Sequence, residues 1–258
     1  MALKNVLLLL TAGLGALASP VKKTPTELNV KVIEGSSKDL SALELPQANK
    51  AILLFRSRLG EDATHSLIAD DVAAADVYWH DALSASKTGK FVGGSMRARG
   101  YAPKHIFNAT TVALWFYFGG TGWPNDFLQS SPEHYLSLSG AGLRDPKANV
   151  ESIENWGPGP ITYFKGIPET TPDFIPALPE FPDTYKSSNA LTLADGTVFA
   201  HSITAFRDLP GGVGVEIYSG IWIPDSAPCE VVEGVRAHVT VEFANWLKLA
   251  YKKAIAAK

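Results

Sequence analysis

Apolar positions recur every three to four residues near both ends of this chain and every second residue through much of its middle. Leu28-Asn29-Val30-Lys31-Val32-Ile33 alternates first and predicts a strand. From Pro46 the period lengthens. Ala48, Ile52, Phe55 and Leu59 share one face of a helix over 46–59, and Gly60 stands where a C-terminal cap is expected. A second helix is expected from about Thr64 to Ser84 on the stripe Ile68, Val72, Ala75, Trp79 and Leu83. Asp62 or Thr64 can cap it, and Asp70 and Asp71 lie in its early turns. Gly89 to Gly100 reads as a glycine-containing loop with two arginines. Val112 to Phe118 is an aromatic run that fits either a buried strand or part of a helix, and the glycines at 119, 120 and 122 break it.

Beyond that break the chain reads mainly as strands. His134 to Ser139 and Val150 to Trp156 alternate, and Ile161 to Ile167 resumes after Gly157-Pro158-Gly159-Pro160. Ala190 to Leu193 meets a turn at Asp195-Gly196, Thr197 to Arg207 returns, and Val213 to Ile223 follows a second turn at Pro210-Gly211-Gly212. Ser226 can then cap a long helix whose stripe is Val232, Val235, Val239, Phe243, Trp246, Leu247 and Ala250. Gly234 within it costs about 1 kcal/mol of helix propensity. Between the third and fourth strands of the middle region, Pro168 to Pro182 carries five prolines among Phe174, Ile175, Leu178 and Phe181. So many prolines exclude helix and central strand, while so many apolar residues exclude a solvated linker. The segment is expected to lie extended, as a strap over the sheet or as a lid over a cavity mouth.

Helices, then an antiparallel meander, then a long amphipathic helix define an α+β fold with helices on one side of a curved antiparallel sheet. This order of elements resembles the helix-grip fold of START and Bet v 1-type proteins. It also resembles the cone fold of SnoaL and nuclear transport factor 2-type (NTF2-like) proteins. What the resemblance implies is a cavity between sheet and helix for a small, mostly apolar molecule.

Composition narrows the classes. The 258 residues are 46% hydrophobic and 19% charged with a formal net charge of −3, a globular composition without the basic excess of a nucleic-acid binder. The single cysteine, Cys229, excludes an intrachain disulfide framework and a cysteine-based zinc site. Met1 to Ala18 reads as a secretory signal peptide: Lys4, an apolar run from Val6, and Ala16-Leu17-Ala18 as a small-x-small cleavage pattern. Residues 19–258 are then expected as one domain, secreted or within the secretory pathway, without integral membrane association. Asn108-Ala109-Thr110 is the sole Asn-x-Ser/Thr sequon and a glycosylation candidate in that setting.

The sequence carries no Gly-x-Ser-x-Gly, His-Glu-x-x-His, P-loop or dinucleotide-binding fingerprint. Its six histidines are too scattered for a short metal-ligand motif, so neither metal nor cofactor is expected. Strand alternation points instead to His201, which shares a face with Phe199, Ile203 and Ala205, and to His134, which shares one with Leu136 and Leu138. An imidazole in an apolar layer needs a hydrogen-bond partner. Each histidine is either a satisfied core residue or part of a polar spot within a pocket. Glu216, Tyr218 and Trp222 share a strand face that is either solvated or lines the cavity, and Tyr163 has the same ambiguity. Asp76–His80 and His238–Glu242 are helical i, i+4 pairs that read as solvated surface.

The catalytic candidates are therefore His201, His134, Glu216 and Tyr218. Tyr163, Trp222, Phe199 and Phe174 are the substrate-binding candidates. Together they suit cofactor-independent proton transfer — cyclisation, dehydration or isomerisation — on a small polyketide- or terpenoid-like molecule. A non-catalytic carrier using the same cavity and a secreted interaction or effector protein are the alternatives.

Overall fold

Eight strands joined almost entirely by neighbouring antiparallel pairings build the core of the fold. The computed structural model describes residues 29–35, 46–87, 89–103, 105–118, 123–138 and 150–256. The leader segment Met1 to Ala18 lies outside them. In chain order the elements are β1 (Asn29–Glu34), α1 (Pro46–Ala85), β2 (Phe91–Tyr101), α2 (Ala109–Phe118), α3 (Trp123–Ser130), β3 (His134–Ser137), β4 (Val150–Glu154), β5 (Thr162–Pro168), β6 (Lys186–Thr192), β7 (Val198–Asp208), β8 (Gly214–Pro224) and α4 (Cys229–Ala256). The sheet order is β1-β2-β8-β7-β6-β5-β4-β3, antiparallel throughout.

The expected α+β architecture, with an antiparallel sheet and a long terminal helix, is what the structure adopts. Its local departures have physical causes. The stretch expected as a loop at 89–100 is the eleven-residue strand β2. Its glycines serve close approach rather than turning. A Cβ on Gly94 would sit 2.6 Å from the Arg236 backbone nitrogen, so the bare backbone lets α4 lie directly on the strand. Gly60, at φ 76° and ψ 176°, separates two helical halves within α1. The second half buries Ile68, Ala75 and Trp79 as its stripe requires. The first half does not bury the face its spacing indicates. Phe55 and Leu59 are exposed, while Arg56 turns inward and donates to the carbonyls of Leu128 and Pro132 at 3.3 and 3.1 Å. The aromatic run at 112–118 is helical and forms most of α2.

Helix α4 sits against β2 at Gly94 and also reaches β4, where His238 Nε2 lies 2.9 Å from Glu154 Oε2. Five strand spacings, about 24 Å if flat, separate β2 from β4. A helix roughly 10 Å across touches both only because the sheet wraps around it. Trp246 is buried there, edge-on to Trp115 at 4.9 Å and to Phe116 at 5.5 Å.

The proline-rich segment covers the opposite face of the sheet. Ile175, Leu178 and Phe181 are buried against Ile203, Ala205, Tyr218 and Trp222 of β7 and β8. The face is therefore neither open to solvent nor part of the cavity beneath α4. Among the described residues no helix is long and apolar enough to cross a membrane.

Candidate functional site

Between the inner face of the sheet and helices α2, α3 and α4 lies a cavity of about 370 Å³. Its two sides differ in chemistry. The helices contribute aromatic rings, among them Phe116, Phe243 and Trp246. The sheet contributes a polar band of Ser187, Asn189, Ser202, Thr204 and Ser219, interspersed with Phe164, Leu191 and Ile221. The band follows from strand alternation. Ser202 and Thr204 occupy one face of β7, and Ser219 lies on the matching face of β8, with Thr204 Oγ1 and Ser219 Oγ 3.2 Å apart. Tyr117 closes one side by donating to the Thr204 carbonyl at 3.4 Å, and burial pushes its phenol pKa up.

Two carboxylates also line the wall, Glu154 from β4 and Glu242 from α4. Behind them are two buried imidazoles. His134 Nε2 and His238 Nε2 lie 3.3 Å apart, and Glu154 Oε2 lies 2.8 Å from the first and 2.9 Å from the second, although neither ring aligns an N–H on that oxygen. Each imidazole is fixed by its other nitrogen. His134 Nδ1 donates to the Phe127 carbonyl at 2.7 Å, with the Phe127 ring stacked on the imidazole at 3.9 Å. His238 Nδ1 donates to Glu133 Oε2 at 2.8 Å. Glu133 Oε1 in turn accepts the Gly157 N–H at 3.0 Å, and Glu242 Oε1 accepts the Trp246 indole N–H at 3.1 Å.

Charge in this cluster is strongly biased. Burial raises the Glu154 pKa, but the neighbouring positive charges of His134 and His238 outweigh it and hold the group at about 2. Burial pulls His238 down, while Glu133, Glu154 and Glu242 raise it more, so its pKa lies well above the ordinary histidine value. The cluster therefore holds its carboxylate ionised and its His238 proton tightly.

Of the catalytic and substrate-binding candidates, the structure brings only His134 to this cluster. A β-bulge intervenes: His134 pairs with Glu154, whereas Leu136 pairs with Ile153, so the histidine and Leu136 face opposite ways. Phe199 is separated from His201 in the same manner. The register between β6 and β7 shifts at Leu191/Thr192, and Phe199 joins Trp79 and Trp156 in the main core. His201 faces the strap, where its Nδ1 lies 2.8 Å from Glu169 Oε1 and its ring meets Phe91 and Phe174 edge-on at 4.7 and 5.2 Å.

Glu216 and Tyr218 are also on the strap face, so neither shares a site with His134. Glu216 is fully buried, neither solvated nor in the cavity. It accepts hydrogen bonds from Arg97 at 3.1 Å, from Arg207 at 2.6 Å and from Arg99. Burial raises its pKa, but Arg99 and Arg207 lower it further than burial raises it. Tyr218 and Trp222 pack beneath Ile175, Leu178 and Phe181, and the exposed Phe174 stacks on Phe91 at 5.1 Å. Tyr163 lies in a separate cluster with Ile68, Leu136 and Ile153. Asn108 caps α2, its Oδ1 accepting the Thr111 N–H at 2.9 Å.

Glu133, Glu154, His238 and Glu242 were not sequence candidates, and the His238–Glu242 pair is buried rather than solvated. The one available signal was composition: eight of the thirteen residues from Val235 to Leu247 are apolar, and His238, Glu242 and Asn245 fall together on one narrow polar strip. His80 pairs with Asp195 at 3.0 Å instead of with Asp76.

Comparison of the sequence with protein-family models finds no matching family. Comparison with curated proteins likewise finds no match. Among solved structures, the chain is similar to Ara h 8.0201, with 10% identical residues, 66% of this chain and 100% of that chain covered, and a TM-score of 0.39.

Proposed function

We propose that this protein binds a small, largely apolar but oxygenated molecule between its sheet and terminal helix and acts on it by proton transfer. The observation carrying this reading is the cavity wall, in which Glu154 and Glu242 stand side by side with His134 and His238 behind them. Proton-transfer catalysis needs at least two titratable groups within reach of one point, and a dry wall strengthens their effect. The aromatic side suits an apolar skeleton, and the serine, threonine and asparagine band suits its oxygens. A polyketide- or terpenoid-like compound undergoing cyclisation, dehydration or isomerisation fits both.

The roles follow from charge. A carboxylate held at about 2 is a weak base, so Glu154 suits accepting a hydrogen bond from a substrate hydroxyl or facing developing positive charge. Glu242 is the cavity carboxylate left to exchange the proton. His134 and His238 position both. The helix-grip form of the fold, with the sheet wrapped about the terminal helix, is the form this reading adopts. The leader pattern at Met1 to Ala18 supports entry into the secretory pathway.

The test uses purified protein and the fluorescent probe 8-anilinonaphthalene-1-sulfonate, followed by turnover assays on oxygenated polyketide and terpenoid panels. Parent protein binds the probe, and Ser202→Phe, which fills the polar side of the cavity, weakens binding at least tenfold. Equal binding by parent and variant overturns the cavity assignment. Glu242→Gln then loses turnover by 10²-fold or more while retaining the probe. Retained probe binding without turnover of any compound by the parent overturns catalysis and leaves a carrier.

A further inference from the structure

The atoms that converge behind the cavity wall are those that bind metal ions. The geometry points to a divalent transition-metal site formed by His134 Nε2, His238 Nε2 and the Glu242 carboxylate, with its open side toward the cavity. The ligand atoms of these three buried residues lie within 4.8 Å of one another. Two nitrogens that each bind one ion tetrahedrally at 2.0–2.1 Å stand about 3.3–3.4 Å apart. The two Nε2 atoms are separated by 3.3 Å. Glu242 lies slightly wider, with Oε1 3.9 Å from His134 Nε2 and Oε2 3.6 Å from His238 Nε2.

The surroundings of the cluster match those of metal-bound imidazoles. A metal-ligating histidine donates its other ring N–H to a carboxylate or a backbone carbonyl, which fixes the tautomer and aims a lone pair at the ion. His238 Nδ1 has Glu133, and His134 Nδ1 has the Phe127 carbonyl, so on each ring Nε2 is the nitrogen left to bind an ion, which displaces any proton held there. Trp246 orients Glu242 through its indole N–H. Glu154 Oε2, at 2.8 and 2.9 Å from the two nitrogens, can take a fourth corner after a shift of about 0.5 Å. Two imidazoles with one or two carboxylates suit Zn²⁺, Fe²⁺, Co²⁺ or Mn²⁺ better than Ca²⁺, which takes six to eight oxygens. Because Glu154 and Glu242 also form cavity wall, an oxygen of the cavity's ligand can approach the ion. The sequence expectation of no metal rested on short motifs. This set has only His238 and Glu242, spaced i, i+4 on α4, close in sequence; His134 joins them from β3, with Glu154 of β4 beside them.

The inference stands apart from the proton-transfer reading, since a seated ion makes Glu242 a ligand rather than a proton carrier. EDTA-treated protein distinguishes them. Turnover without metal supports proton transfer whether or not a metal binds, whereas metal binding is read from the ion itself. Purified protein is stripped with EDTA, dialysed and titrated with Zn²⁺ and Co²⁺ by calorimetry, with Co²⁺ visible absorption and elemental analysis alongside. One equivalent binds, the melting temperature rises, and Co²⁺ gives the d–d bands of a low-coordinate nitrogen–oxygen site. Glu242→Gln, which keeps the side-chain volume and the acceptor for Trp246, weakens Zn²⁺ binding at least tenfold. His134→Gln with His238→Gln abolishes it. If the double variant fails to fold, the folded parent and Glu242→Gln carry the decision. Less than 0.1 equivalent on the parent at 1 mM of either ion, or equal affinity in parent and Glu242→Gln, overturns the site.

Discussion

His134 Nε2 and His238 Nε2 lie 3.3 Å apart, although 104 residues separate them in the chain. Glu133, the immediate neighbour of His134, returns to His238 from the other side at 2.8 Å. One short segment of chain therefore grips the terminal helix at two points, and the four-residue strand β3 carries more of the site than its length indicates.

Glu133→Ala removes the acceptor of both the His238 Nδ1–H and the Gly157 N–H. A buried charge that loses its partner costs about 3–5 kcal/mol, and urea denaturation at pH 7 is expected to read a loss in that range. Glu133→Gln retains an acceptor oxygen and loses less. A parent-like midpoint for Glu133→Ala would show that this pair does not hold the helix.

Gly234→Ala is expected to destabilise, reversing the helix-propensity gain of about 1 kcal/mol. A Cβ there would lie 2.5 Å from the Trp156 carbonyl oxygen, and Gly157 sits against Gly234 with φ 61°. Overpacking of this kind costs about 1–3 kcal/mol. Thermal melts of parent and variant measure the sign, and a raised melting temperature would contradict the close approach.

Acid is expected to loosen the strap face through Glu216. Its folded pKa is lowered from the ordinary 4.5, so the stability it contributes is present above 4.5 and is lost as pH falls through the lowered value. Glu216→Gln lacks that contribution at every pH. The difference in unfolding free energy between parent and variant is therefore constant from pH 7 to about 5 and shrinks below 4.5. A difference that stays level down to the acid transition would assign the Arg97, Arg99 and Arg207 contacts no net role.

Processing is tested by expression in a eukaryotic secretory host. The mature chain is expected to begin near Ser19 and to carry a glycan at Asn108, whose Oδ1 remains the cap of α2 while Nδ2 takes the sugar. Intact-mass analysis before and after deglycosylation reads both. Retention of Met1 on cell-associated, unglycosylated protein would refute them.

Residue period alone was enough for the second half of α1, for β5, β7 and β8, and for the stripe of α4 that buries Trp246. Those elements bury a face against a neighbour, and a buried face imposes its period on the sequence. Tertiary structure decided the rest. β2 was obscured because its glycines answer to the approach of α4 and Trp222, not to any turn in the strand. The bulges at Tyr135 and Phe199 each insert one residue, and one residue is enough to exchange the two faces of a strand. They bring His134 to Glu154 and leave His201 beneath the strap. His238 and Glu242 carry the same i, i+4 signature as a solvated pair. What makes them a site is the curvature of the sheet, which carries β4 around to meet the helix, and that curvature is a property of eight strands together, written in no single one of them.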